Sequence, residues 1–155
     1  MQIEAIRRMA HDIIDNETIE SDCVEYKKSA TFKNKILKTV CAFANNYMNR
    51  EIGLLFIGIE EVNDMKTGEK AYPQRPIFGI PKGLIETTEN ELKSLLSNIH
   101  PKVNYHLILD TIDETNYIVV AVEPGNAGPY ITSDKAEKDK GIGLKAGRYI
   151  RVKRD

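Results

Sequence analysis

Ile3, Ile6, Met9, Ala10, Ile13 and Ile14 recur at helical spacing over residues 2–15. That pattern predicts an amphipathic helix, ended at Asn16 and the polar stretch behind it. Residues 23–28 set Cys23, Val24 and Tyr26 among charged positions and read as a short strand. Residues 29–31 turn the chain, and Ser29 or Thr31 is placed to cap a second helix. That helix is expected over residues 32–47. Ile36, Leu37, Val40, Cys41, Phe43, Ala44 and Tyr47 make one wide apolar face, and Lys33, Lys35 and Lys38 lie on or near the other.

Residues 53–60 (GLLFIGIE) form a continuous apolar run of β-formers, as expected of a central strand covered on both faces. Residues 63–76 are polar, contain Gly68 and Pro73, and read as a loop. Residues 77–80 suggest a short strand broken by Pro81 and Gly83. A helix from Thr87 or Thr88 to about Ile99 turns Leu92, Leu95, Leu96 and Ile99 inward, with Thr88 and Glu91 spaced as a capping box and Pro101 as its stop. Residues 103–109 and 117–123 are two strands of a hairpin turning at 113–116. Residues 124–147 read as a mobile loop and 147–153 as a final short strand. This order excludes a regular βαβ alternation. It predicts a mixed α+β fold, one mixed sheet of about six strands packed with about three helices.

The 155 residues fit one domain over 1–155, with 1–19 as an N-terminal helix and linker and 20–153 as the core. Hydrophobic residues at 41% and charged residues at 29% are an ordinary globular balance. The formal net charge of −1 means that any surface for a polyanion must be local. Cys23 and Cys41 belong to no CxxC pair, and His11, His100 and His106 are scattered, so no zinc spacing exists. Two cysteines outside any such motif fit a reducing compartment. The N-terminus lacks the apolar segment of a signal peptide, and the longest apolar run, 52–59, is too short for a bilayer. A cytoplasmic protein without a membrane partner is expected.

Two acidic groups could carry chemistry. Glu20 and Glu25 bracket the first strand's start, with Lys27 on Glu25's side under period-2 alternation, and Glu60 and Glu61 close the central strand. Three carboxylates brought together would suit Mg²⁺ or Mn²⁺, which could activate water, with Lys27 meeting phosphate charge. The same acids also fit plain surface positions at strand ends. Two basic groups point elsewhere. Lys145, Arg148, Arg151, Lys153 and Arg154 surround Tyr149, a combination suited to phosphate and base stacking. Lys27, Lys28, Lys33, Lys35 and Lys38 cluster about the start of the second helix. Both also read as solvated charge. No GxxxxGK[ST], GxSxG or HExxH occurs, so a P-loop ATPase is unsupported.

Taken in order, ESDCVEYK (20–27), ILKTVCAFANN (36–46), GLLFIGIEE (53–61) and GRYIR (147–151) resemble the Schlafen/AlbA-type DNA-binding domain, over nearly the whole chain from Glu20 onward. Bacterial members are often described as transcriptional regulators or helicase-related proteins. The resemblance implies a compact mixed α/β unit that binds nucleic acid. It also implies, from ribonucleases in the vertebrate branch, a three-carboxylate site at Glu20, Glu25 and Glu60, where Glu60 stands in place of Asp. Family members usually continue past the YIR segment, so this chain is expected to be a stand-alone unit or a piece of a longer protein.

Three functions are therefore carried forward. One is a DNA- or RNA-binding module using Lys27, Lys28, Lys145, Arg148, Tyr149 and Arg151 on the phosphate backbone. The second is an endoribonuclease dependent on Mg²⁺ or Mn²⁺. The third is a regulatory or protein-interaction domain. A homodimer is compatible with each.

Overall fold

The computed structural model describes residues 2–18, 23–46, 51–63, 71–125 and 128–151. Its framework arises from two apolar patterns. The helix α1 (Ile3–Asp15) buries Ile6, Ala10 and Ile14, one per turn on a single face. The strands β1 (Val24–Lys27), β2 (Gly53–Ile57), β6 (Tyr105–Ile112) and β7 (Thr115–Val122) form a sheet in the order β1-β2-β7-β6. β1 and β2 run parallel, joined through α2 (Lys33–Ala44), and the other pairs are antiparallel.

Period-2 alternation splits the sheet into two apolar faces. Val24, Tyr26, Leu54, Phe56, Val119, Ala121 and Ile108 pack with α1. Leu55, Ile57, Ile118, Val120 and Val122 pack with α2 and with α3 (Ile85–Leu96). Every residue of β2 is buried, as a strand covered on both faces requires. Gly53 is fixed by close packing, because a Cβ there would sit 2.3 Å from Cγ of Phe43 on α2.

Two smaller sheets flank this core. β3 (Glu61–Asn63) pairs with β4 (Ala71–Pro73) inside the segment expected to be a loop. β5 (Ile99–His100), β8 (Ile131–Thr132) and β9 (Gly147–Arg148) form the other, ordered β5-β8-β9. The mixed α+β class stands, but the strands divide into three sheets rather than one. Residues 124–147 are not simply a loop, since they hold β8 and the short helix α4 (Asp134–Lys138), capped by the Ser133 side chain. Residues 77–80 form no strand.

Two expected caps are absent. Phe32 precedes α2, and Ser29 and Thr31 bond each other at 2.6 Å instead. α3 begins at Ile85, after a 3₁₀ turn at Lys82–Leu84, so Thr88 lies inside it and donates its hydroxyl to the Leu84 carbonyl at 2.7 Å. A helix starting one turn early leaves no place for a capping box at Thr88.

Candidate nucleic-acid interface

Alternation along β1 sends Val24 and Tyr26 into the α1 layer and Glu25 and Lys27 toward α2. Glu25 is only 8% exposed, and an isolated carboxylate buried to that degree would be costly. Two cations meet that demand. Lys27 donates Nζ to Oε1 at 2.7 Å, and Arg151 donates NH1 to Oε2 at 2.9 Å from 126 residues away. The guanidinium of Arg151 also lies 5.2 Å from the ring centre of Phe43, on α2. The apolar helix therefore supplies the floor on which the last described residues rest.

Two residues before Arg151, Tyr149 presents its ring to Lys38, whose Nζ is 5.7 Å from the ring centre. The Tyr149 hydroxyl donates to the Lys145 carbonyl. Partial burial, then the neighbouring Cys41 and Glu137, raise its ionisation above the usual tyrosine range. Lys145 and Arg148 are exposed on the same segment, and Arg148 sits opposite Ile131 in the β8–β9 pair.

Asn45, at the end of α2, holds this segment in place. Its Oδ1 accepts from the Tyr130 N–H at 2.8 Å, and its Nδ2 donates to the carbonyls of Tyr130 and Tyr149, each at 2.9 Å. The side chain is 5% exposed and ties β8's approach and β9's exit to one helix end. Cys41, one turn earlier, donates its Sγ to the Tyr130 carbonyl at 3.4 Å, and burial pushes its thiol up.

The structure thus gathers Lys27, Glu25, Arg151 and Tyr149, with Lys145 and Arg148 close along the chain. Lys28 has a separate partner, Phe78, whose ring centre is 4.6 Å from its Nζ. Phe78 is 56% exposed, so this pair offers an aromatic face and a cation to solvent. Glu60 lies past the end of β2, half-buried, with its main-chain carbonyl accepting from Gln74 at 2.8 Å. Glu20, like Lys153 and Arg154, falls outside the described residues. Among the described residues no group of three or more His, Cys, Asp or Glu side chains is placed to hold a metal ion. Glu25 faces two cations, an arrangement that competes with binding a third.

Phe43, Asn45 and Phe78 were not singled out as site residues by the sequence, whereas Lys38 belonged to the lysine cluster read at the start of the second helix. Asn45 had one usable signal, a polar residue closing an otherwise apolar helix. Phe78 had none, because an apolar run gives no sign that one of its members faces water.

A family model described as Schlafen, AlbA_2 matches residues 20–155. Among solved structures, the chain is similar to the N-terminal domain of a RecG-related protein from Nitrosomonas europaea, determined by NMR. The TM-score is 0.63 at 24% identity, over 94% of this chain and 91% of that one, a likeness of fold. No curated protein matches the chain.

Proposed function

This chain belongs to the Schlafen, AlbA_2 family, and from that premise we propose that it is a nucleic-acid-binding module that grips the phosphate backbone. The observation that carries the reading is the local concentration of cations on a chain whose net charge is −1. Lys27, Lys38 and Arg151 are connected through Glu25, Phe43 and Tyr149, and Lys145 and Arg148 lie exposed beside them. Glu25 neutralises one positive charge and orients two, leaving the cluster net positive. Tyr149 and Phe78 supply ring faces of the kind on which unpaired bases stack. The similar protein from Nitrosomonas europaea carries a name that relates it to an ATP-dependent DNA helicase, which supports the same ligand class.

Backbone contacts of this type give affinity without sequence preference, and they weaken with salt. Labelled tRNA and duplex DNA titrated at two salt concentrations, with and without Mn²⁺, test the proposal. Glu25→Gln separates it from the carboxylate nuclease. For a binding module the variant leaves the nucleic acid intact and still binds it with salt-dependent affinity. Metal-dependent cleavage that disappears in the same variant would replace the module with an enzyme. Absence of binding to either nucleic acid at low salt would overturn both.

A further inference from the structure

Natural sheets blunt their edges with short strands, lysines, prolines or bulges, because an open edge pairs with other chains. The sheet's two ends differ in this respect. β1 is four residues long and carries the Glu25–Lys27 pair. β6 is eight residues long, contains neither lysine nor proline, and pairs with β7 in unbroken register from Tyr105↔Val122 to Ile112↔Thr115. Among the described residues no strand lies on its other side. Leu109, on that strand, is 41% exposed.

The register fixes which backbone groups point outward. The two-residue turn makes Ile112 and Thr115 a hydrogen-bonded pair, so Ile112, Asp110, Ile108 and His106 direct their amides to β7. Tyr105, Leu107, Leu109 and Thr111 then direct theirs to the open edge. An antiparallel copy of β6, related by a two-fold axis at Ile108, would set Leu107 against Leu109 of the copy as a hydrogen-bonded pair. It would set His106 against Asp110 of the copy as a closely spaced, non-hydrogen-bonded pair. The axis thus matches outward amides with outward amides, apolar with apolar, and base with acid. Moving the axis by one residue, to Leu109, keeps the amides matched but places Asp110 against Ile108 and removes the charge pairing.

Asp110 is oriented for this role within its own chain, accepting from the Tyr117 hydroxyl at 3.0 Å and lying 3.5 Å from Nδ1 of His11. A carboxylate has about four acceptor positions, so these contacts leave room for another. His106 has Glu123 at 3.9 Å on its own chain.

We propose that β6 is a self-association edge, and that its partner is a second copy of this chain paired antiparallel about Ile108, which joins the two four-stranded sheets into one across the two-fold axis. Sedimentation equilibrium of the full chain over roughly 10–500 μM tests this. A monomer–dimer equilibrium is expected. Leu109→Lys, at an exposed position, and His106→Asp, which sets acid against acid, should each weaken the dimer about tenfold or more. His106→Lys should retain it. Thermal melts of each variant establish that the monomer fold is intact. A monomer throughout that range, or a dimer indifferent to both Leu109→Lys and His106→Asp, would overturn the proposal.

Discussion

At the scale of single residues, the burden of joining the C-terminal segment to the core falls on Asn45. Replacing it with alanine leaves the Tyr130 N–H and two carbonyls without their side-chain partners in a buried position. Asn45→Ala should cost roughly 2–4 kcal/mol in urea unfolding. Buried titratable groups add a pH dependence. Burial raises the Cys41 thiol, and burial together with the Asp110 charge raises the Tyr117 hydroxyl well above its normal range. The native state therefore keeps protons that the unfolded chain releases. This stabilisation is whole below the unfolded thiol value of about 8.5 and is lost as pH rises through the native values. The urea midpoint should fall as pH rises above about 8.5, and a flat profile up to about pH 10 would contradict the assignment. The sequence made Cys41 legible as a small buried residue, since it lies on the apolar face of a helix. Asn45 was harder to read, because its three partners lie 85 and 104 residues away and no local period encodes them.

Among elements, those with long periodic signals were legible and those built from two or three residues were not. α1, β1, α2, β2 and the β6–β7 hairpin are readable from apolar spacing alone. β5 and β8 are two residues each, and their pairing joins segments far apart in the chain, so no window of alternation could reveal them, whereas β9, at Gly147–Arg148, begins the strand expected over residues 147–153. The hairpin turn itself is tighter than expected. Asp113 and Glu114 form a two-residue connection with φ of 52° and 63°, the left-handed region that a type I′ turn demands. Asp113 is also held by Arg75 at 2.7 Å. Glu114→Gly removes the strain of a side chain at positive φ while leaving that ion pair. It should stabilise the protein by about 1 kcal/mol, read as a rise in melting temperature, whereas Asp113→Gly gains less because it loses Arg75.

Over the whole molecule, the chain separates its charge from its core. One sheet face is sealed by α1 and the other by α2 and α3, while Lys27, Lys38, Arg148 and Arg151 lie where α2 meets the C-terminal segment. Among the described residues no helix is long and apolar enough to cross a membrane. The basic clusters were legible as clusters. Their meeting was not, because Lys27 and Arg151 are brought together only by the fold, through Glu25. The three-carboxylate arrangement includes Glu20, which lies outside the described residues, so its support is the family resemblance alone.

The most direct test of a phosphate-gripping surface is the salt dependence of tRNA and duplex DNA affinity for the natural chain and for a Lys38→Ala, Arg148→Ala double variant. Neither substitution disturbs the Glu25 ion pairs. If both cations meet phosphate, log affinity against log salt should lose about 1.4–1.8 from its slope, with all sequences weakened alike. An unchanged slope, with affinity intact, would contradict the account and place the nucleic acid elsewhere on the molecule.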